Sequence, residues 1–200
     1  MITVKVNGEE RQYPQGATYE DVANDYQKEY DNLIALAARD GKIRELFKKL
    51  TRDCEITFFT LKDNVGNKTY VRSATMLFLK AVFDVYGREA AQNCRVEFAV
   101  GNGSYISPRG QIASTADNAA KIQDRMRELV AAKTPFLKRS YALDNAMELF
   151  HTEGMKDKEK LFRYRRGSFV NIYEMDGYYD YYYGYMLPNA GYVKWFDVIA

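Results

Sequence analysis

Residues 1–23 read MITVKVNGEERQYPQGATYEDVA, and this stretch decides how the chain begins to fold. Apolar and polar residues alternate from position 2 to position 6, which is the period of a β-strand with one buried face. Asn7-Gly8 follows, and this pair favours a type I′ hairpin turn because both of its residues tolerate a positive φ. Residues 11–13 are therefore predicted to return as the second strand of a hairpin.

A helix is predicted next, because Thr18 has the side chain of an N-terminal cap and Asp21 lies three residues after it. One face of this helix is expected to be apolar, and it consists of Tyr19, Val22, Ala23, Tyr26 and Tyr30. Residues 33–38 and 56–60 are β-rich, and the first of these stretches is followed by the tight turn Asp40-Gly41. Two strands, a helix and two more strands favour a β-grasp-like domain over residues 1–62.

Residues 63–200 are predicted to form a larger α/β domain with a mostly antiparallel sheet, which places the whole chain in the α+β class. Residues 63–67 are predicted to be a polar linker, and residues 70–86 a helix that ends at Gly87. The buried face predicted for this helix consists of Val71, Thr75, Phe78, Val82 and Val85. A hairpin is expected after it, with strands at 95–100 and 104–107 and a turn at 101–103.

The rest of this domain is predicted to mix helices and strands. Ser114, with Asp117 three residues later, is expected to cap a helix that buries Ile122, Met126, Leu129 and Val130. The remaining predicted elements are a strand at 136–141, a helix at 143–150, a charged helix or loop at 155–166, and closing strands at 169–175, 178–185 and 193–199.

Composition and charge exclude several classes of protein. The formal net charge is +2, so the chain as a whole has no polybasic character that would indicate nucleic-acid binding. Cys54 and Cys94 are too few and too isolated for a disulfide framework. The first ten residues lack the apolar run of a signal peptide, and no stretch has the length of a membrane span. The expected location is the reducing cytoplasm with no membrane partner, and the oligomeric state is not indicated.

Residues 173–192 contain eight tyrosines, which is an unusual density. Tyrosine joins an apolar ring to a polar tip, so the cluster is not expected to be ordinary core. A strand at 178–185 would place Tyr179, Tyr181, Tyr183 and Tyr185 on one face and Tyr178 and Tyr182 on the other. Two interpretations stay open: the rings fill space in the domain, or they stack on a base or nucleoside.

Four stretches resemble the N-terminal part of threonyl-tRNA synthetases when they are taken together and in order. They are ITFFTLKDNVG (56–66), VRSATMLFLK (71–80), VGNGSY (100–105) and GYMLPN (184–189). The resemblance implies a TGS domain at residues 1–62, followed at residues 63–200 by the synthetase's second additional domain. Active members of that family use the second domain to hydrolyse mischarged tRNA.

The chain departs from the family at the positions that matter for this activity. The family has an HxxxH pair on the long helix and a later CxxxH pair, which together surround a metal ion or a catalytic water. This chain has Arg72 and Met76 at the first pair and Tyr182 and Met186 at the second. Arginine only donates hydrogen bonds, and thioethers and neutral phenols are poor zinc ligands. The resemblance therefore implies a degenerate editing-like domain with no metal ligands and no catalytic residue.

A second resemblance accommodates these departures. Certain bacterial proteins join a TGS domain and a histidine-less editing-like domain to a uridine-kinase-like domain. A P-loop kinase needs a GxxxxGK[ST] loop to hold phosphates, and this chain contains none. The main hypothesis is a non-catalytic binding or regulatory N-terminal region of a nucleoside (uridine) kinase. No cofactor is expected in this chain, since ATP and magnesium would belong to a kinase domain outside it.

The alternative hypothesis is a tRNA-binding or aminoacyl-tRNA-editing module. Either hypothesis allows a ligand pocket for a nucleoside, a nucleotide or tRNA-like RNA. The candidate residues of this pocket are Arg72, Met76, Lys80, Tyr182, Tyr183, Tyr185 and Met186. Arg72 and Lys80 lie opposite the predicted buried stripe, so they form either a cationic edge or a solvated face.

Other reactive or charged residues are expected to have ordinary roles. His151 is predicted to be a surface residue, and Cys94 a buried and unreactive one. Arg163, Arg165 and Arg166 could contact RNA phosphates, although the acidic residues before them favour a solvated charged run.

Overall fold

The computed structural model describes residues 1–101, 103–110 and 112–200. Its N-terminal part is a five-stranded sheet with one helix, α1 (Tyr19–Tyr26), packed on it. The strand order is β2-β1-β5-β3-β4, in which only β1 and β5 pair in parallel. The strands are β1 (Ile2–Val6), β2 (Glu9–Tyr13), β3 (Ile34–Arg39), β4 (Lys42–Glu45) and β5 (Cys54–Thr60).

The first hairpin turn and the cap of helix α1 form as the sequence predicts. Asn7 and Gly8 have φ values of 51° and 88°, which is the type I′ geometry that joins β1 to β2. Thr18 caps α1, because its side chain accepts a hydrogen bond from the Asp21 amide while the Asp21 carboxylate accepts one from the Thr18 amide. Strand β4 was not predicted, since its four residues, KIRE, are too short and too charged to be distinguished from a turn.

The C-terminal part contains most of the helices, a separate hairpin and a second sheet. The helices are α2 (Asn64–Tyr86), α3 (Arg88–Asn93), α4 (Ala116–Ala131), α5 (Leu143–Thr152) and α6 (Lys156–Arg163). The strands are β6 (Arg95–Val100), β7 (Gly103–Ser107), β8 (Leu137–Ala142), β9 (Phe169–Met175) and β10 (Tyr178–Asp180). Strands β6 and β7 form the hairpin, and the antiparallel sheet has the order β10-β9-β8. The α+β class is confirmed.

Several predicted boundaries are wrong. The segment 63–67 is the first turn of α2, because Asp63 is the N-terminal cap of that helix. Thr115, rather than Ser114, caps α4 through the Asn118 amide. The strand predicted at 178–185 ends at Asp180, and residues 193–199 form no strand. Asn102, in the middle of the predicted turn at 101–103, lies outside the described residues.

The buried face predicted for α2 is also wrong, except at Val82, which is fully buried. Val71 and Val85 are 40% and 37% exposed. The buried residues are Gly66, Thr69, Ser73, Met76, Leu77, Leu79, Lys80, Ala81 and Val82. Apolar residues occur almost all round this helix, so its sequence does not select one face, and the packing partners decide which side is buried. Much of the predicted stripe instead lines a cavity of about 830 Å³ between α2 and α4.

The start of α2 lies directly against strand β5. A Cβ atom on Gly66 would lie 2.0 Å from the backbone oxygen of Thr60 and 3.5 Å from the Cβ of Ala35. Only glycine permits this approach, which joins the long helix to the first sheet. No helix in the part of the chain that the structure describes is long and apolar enough to cross a membrane.

We expect Gly66→Ala to destabilise the protein by about 1–3 kcal/mol or more, because the added methyl group meets backbone that cannot rotate away. Gly167→Ala is the matched control, since a Cβ there would find its nearest neighbour at 3.7 Å and the residue is not in the left-handed region. Urea unfolding followed by circular dichroism measures both variants. Equal stability of the two would contradict the close helix–strand approach.

Candidate functional site

Helix α2 packs against the segment that follows β10, and this contact brings the candidate residues together. Arg72 Nε donates a hydrogen bond to the backbone oxygen of Tyr185 at 3.0 Å. The next residue of α2, Ser73, adds a second link, because its Oγ accepts a hydrogen bond from the Leu187 amide at 2.9 Å. The two parts of the resemblance, α2 and residues 182–187, therefore meet as a packed contact.

Gly184 makes this contact possible. Its φ is +135°, and a Cβ atom there would lie 2.7 Å from the guanidinium carbon of Arg72. The backbone oxygen of Gly184 lies 2.9 Å from the Tyr173 hydroxyl oxygen. Glycine at this position thus lets the arginine side chain cross the segment and reach the Tyr185 oxygen.

Two of the four residues at the family's ligand positions are fully buried, and a third, Tyr182, is half-buried. Met76 and Met186 are 0% exposed and belong to the same apolar core. The Tyr182 hydroxyl is buried and has no hydrogen-bond partner among the described residues, and its ring packs edge-on against Tyr173 with centroids 6.5 Å apart. Burial, followed by the nearby Asp180 carboxylate, raises the pKa of Tyr182 well above its ordinary value.

Glu45 is the buried acid at the centre of this region, and it comes from the first sheet. Its carboxylate accepts hydrogen bonds from the Tyr173 hydroxyl at 2.5 Å and from the Met186 amide at 3.2 Å. Lys138 Nζ lies 3.0 and 3.2 Å from its two oxygens. Glu45 is 3% exposed, so these donors replace the water that the carboxylate loses. Glu45 was not among the predicted functional residues, because β4 itself was not predicted.

Lys80 is neither a pocket edge nor a solvated side chain. Its ammonium group lies 2.7 Å from an Asp84 oxygen, 2.7 Å from the backbone oxygen of Asp176 and 3.4 Å from the Asp176 carboxylate. The residue is 2% exposed. Asp84 is shared with Arg125, whose Nε lies 2.9 Å away. This buried charge is therefore paired with protein groups and is directed away from solvent.

The remaining two tyrosines of the candidate pocket, Tyr183 and Tyr185, have different surroundings. Because the strand ends at Asp180, the predicted alternation of faces over residues 178–185 is wrong. Tyr183 is 88% exposed, whereas Tyr185 is half-buried beside Glu45 and Lys138. The structure thus brings together Arg72, Met76, Tyr182, Tyr185 and Met186, and leaves Lys80 and Tyr183 apart in separate surroundings. The assignment of a ligand to this set stays a prediction.

The donor atoms at the family's ligand positions do not fit a zinc ion or a similar metal. Arg72 is already bonded to a backbone oxygen, and a guanidinium has no lone pair to offer. The sulfur of Met186 lies 3.9 Å from Ser73 Oγ inside the apolar core. Within residues 1–101, 103–110 and 112–200, no three His, Cys, Asp or Glu side chains are placed to hold a metal ion. No reaction step through a metal is derived from this arrangement.

Among the other charged and reactive residues, His151 lies at the surface as predicted, whereas Cys94 is half-buried rather than buried. The His151 side chain is 78% exposed and contacts Glu159 at 3.3 Å. Arg163 pairs with the same Glu159, and Arg165 donates to the Tyr181 hydroxyl at 2.7 Å, so this basic run is partly engaged by the protein. Burial raises the pKa of the Cys94 thiol to about 11, which keeps it protonated near neutral pH.

We expect the tyrosine hydroxyl groups to titrate in two stages at alkaline pH, because several of them are buried. Burial raises the pKa of Tyr173, Tyr178 and Tyr182, and the Glu45 or Asp180 carboxylate adds to the effect. Because their folded pKa lies above the unfolded value of about 10, their contribution to stability is complete below pH ~10 and is lost as the pH rises further. Absorbance at 295 nm should show one group of tyrosines ionising reversibly, and a second group, which includes these three, ionising only on unfolding. Ionisation of all tyrosines in one step near pH 10 would contradict their burial.

Comparison with known proteins gives one consistent group of relatives. The chain is 27% identical to the threonine–tRNA ligase of Thermotoga maritima over an alignment of 208 positions, which covers 100% of this chain and 30% of the ligase. It is 28% identical to that of Rhizobium etli over 94% of this chain and 28% of the ligase. The corresponding figures for Porphyromonas gingivalis are 25%, 94% and 29%. No family model matches the chain.

These alignments establish homology to the N-terminal region of threonine–tRNA ligases along essentially the whole chain. The resemblance drawn from the four short stretches is confirmed to that extent. The chain spans only about three-tenths of the length of these relatives, so most of each ligase has no counterpart here.

Proposed function

We propose that this chain is a non-hydrolysing RNA-binding module whose partner is tRNA or an RNA of similar shape. The relatives named above act on tRNA, and the chain is homologous to their N-terminal region. This homology supports the tRNA-related hypothesis rather than the kinase hypothesis. None of the relatives named above is a kinase, so the kinase hypothesis stays a prediction.

One observation carries the non-hydrolysing part of the proposal. The positions where the family resemblance places metal ligands hold Arg72, Met76, Tyr182 and Met186, and protein contacts occupy these side chains. The arginine is bonded to the Tyr185 oxygen, and both methionines are fully buried. An ester hydrolase needs a nucleophile or activated water together with a base, and these groups supply neither.

The packed contact also changes what is expected of individual variants. A direct RNA contact through Lys80 is not expected, because this ammonium group is buried between Asp84 and Asp176. Arg72 is half-buried and bonded to the protein backbone, so Arg72→Ala should act through stability rather than through a lost phosphate contact. Tyr183, at 88% exposure, is the tyrosine of the cluster that is free to stack on a base.

Filter binding of a full-length threonine tRNA over a range of salt concentrations tests this proposal. We expect saturable binding that weakens linearly in a plot of log K against log salt, because phosphate contacts release counterions. Tyr183→Ala should weaken binding by several-fold with unchanged stability, whereas Tyr164→Ala, an 85% exposed control, should not. Absence of tRNA binding at low salt would contradict the proposal.

A further inference from the structure

A basic groove lies between the first sheet and the second. Its volume is about 480 Å³, and it opens between β4 with the loop after it and the strands β8 and β9. The lining residues that carry the argument are Tyr19, Arg39, Arg44, Lys48, Lys49 and Lys138. None of them was predicted to be functional, because the near-balanced charge of the whole chain conceals a local concentration of cations.

The charge of this groove is strongly one-sided. Five of its lining side chains are basic, and Glu45 is the single acidic one among them. Glu45 is already satisfied by Lys138, Tyr173 and the Met186 amide. Among the described residues, Arg44, Lys48 and Lys49 have no acidic partner within salt-bridge distance. Several unpaired cations facing one concave space raise the local concentration of anions.

Tyr19 supplies an independent observation that indicates a ligand. The residue is 1% exposed, and its hydroxyl is buried without a hydrogen-bond partner in the described part of the chain. Tyr19, Arg39 and Arg44 line the same groove. Burial raises the pKa of Tyr19, and the positive charges of Arg39 and Arg44 oppose that shift. A buried hydroxyl left unpaired is unfavourable, so an oxygen atom entering the groove would satisfy it.

The groove is held in place by the backbone. The Tyr19 amide donates to the Lys48 oxygen at 3.0 Å, and the Glu20 amide donates to the Leu46 oxygen at 2.8 Å. The Leu50 amide donates to the Ala17 oxygen at 2.7 Å. The loop that carries Lys48 and Lys49 is thus fixed against the start of α1, which lowers the entropic cost of ordering it around a ligand.

We propose that this groove binds a phosphate group, with the Tyr19 hydroxyl donating to a phosphate oxygen and Arg44, Lys48 and Lys49 neutralising its charge. An arginine with several N–H donors and a compact cluster of ammonium groups suits a tetrahedral polyanion. Two sources present the same chemistry, namely a free phosphorylated small molecule and a phosphate of an RNA strand. The site itself requires neither source in particular and does not depend on the tRNA proposal.

Isothermal titration with inorganic pyrophosphate tests the site in the intact chain. We expect saturable binding that weakens about tenfold in Tyr19→Phe, since one hydrogen bond to a charged group is lost. The same substitution should leave the unfolding midpoint unchanged or raised, because the hydroxyl has no partner in the free protein. Unchanged affinity in Tyr19→Phe, or no binding of pyrophosphate to the wild type, would overturn the proposal.

A charge-matched pair of triple variants separates the site from general electrostatic attraction. Arg44→Gln/Lys48→Gln/Lys49→Gln should bind pyrophosphate at least about tenfold more weakly than the wild type. Lys5→Gln/Lys28→Gln/Lys68→Gln removes the same charge from exposed positions outside the groove and should bind within about twofold of the wild type. Equal loss in both triple variants would overturn the site.

Competition between the two phosphate sources completes the test. If threonine tRNA displaces pyrophosphate, and the groove variant loses affinity for both, the phosphate belongs to RNA. If pyrophosphate binds at the groove and tRNA neither binds nor displaces it, the site is supported with a small phosphorylated ligand, and it is the tRNA proposal that fails. A third outcome is that the groove variant and the control variant bind tRNA equally well and also bind pyrophosphate equally well. In that case the groove proposal fails and the tRNA proposal stands.

Discussion

Replacing Glu45 with alanine is expected to lower the free energy of unfolding by about 3–5 kcal/mol, the largest effect of any single polar substitution proposed for this chain. The carboxylate is 3% exposed and joins the first sheet to the C-terminal part through Lys138, Tyr173 and the Met186 amide. Its removal leaves the Lys138 ammonium group and the Met186 amide without their acceptor in a largely buried space, whereas the Tyr173 hydroxyl keeps the Gly184 oxygen nearby. Urea unfolding of the purified variant measures the loss.

Two further variants make this result specific. Glu45→Gln keeps the size of the side chain and one acceptor oxygen, so we expect a smaller loss than for alanine. Glu55→Ala removes an exposed carboxylate from strand β5 of the same sheet and should change stability by less than about 0.5 kcal/mol. A Glu45→Ala protein as stable as Glu55→Ala would show that the buried carboxylate does not join the two parts.

Tyr182→Ala is expected to destabilise the protein by about 3 kcal/mol, because the aromatic ring fills the space between α2 and Tyr173. Tyr183→Ala is the matched control, since the Tyr183 ring is 88% exposed and should contribute almost nothing to stability. Thermal or urea unfolding compares the two. If Tyr182 only fills space, its removal weakens folding and leaves RNA affinity unchanged under conditions where the variant is folded.

Tyr182→Phe separates the ring from the hydroxyl group. The hydroxyl is buried without a partner among the described residues, so its removal should be neutral or stabilising by up to about 1 kcal/mol. A clear loss of stability in this variant would mean that the hydroxyl has a role in the folded protein, and it would contradict simple filling of the abandoned site.

The sequence predicts local features of this fold well. The Asn7-Gly8 turn, the capping box of Thr18 and Asp21, and the end of α2 at Gly87 depend on contacts within a few residues, and all three are confirmed. The same holds for the hairpin strands β6 and β7, which pair with each other. Such features follow from turn and capping chemistry without knowledge of the tertiary structure.

Features that depend on distant partners could not be predicted in the same way. The face of α2 that is buried is selected by residues 182–187 and by the first sheet, because apolar residues occur nearly all round the helix. The tyrosine-rich segment has the composition of a strand, yet its contacts to Arg72 and Ser73 end the strand at Asp180. Glu45 and the basic groove arise only when β4, β8 and β9 meet.

The candidate site was predicted in a different way from the helices and strands. The positions Arg72, Met76, Tyr182 and Met186 came from a family pattern rather than from periodicity, and the structure brings the two pairs to one contact between α2 and the segment after β10. Lys80 was added to the site because it shares a predicted helix face with Arg72, and Tyr183 because it lies on the predicted tyrosine-rich strand. The first is buried in an ion pair two helical turns beyond Arg72. The second is 88% exposed and lies in the irregular segment after the strand ends at Asp180.

A single-turnover assay with mischarged threonine tRNA and excess protein, in which bound tRNA and remaining ester are counted in the same samples, tests the central claim most directly. We predict that the tRNA is bound and that the aminoacyl ester is lost no faster than without protein, for the wild type and for Tyr182→Phe alike. Protein-dependent deacylation that is abolished in a folded Tyr182 or Arg72 variant would contradict the account, and so would a failure to bind the tRNA at low salt.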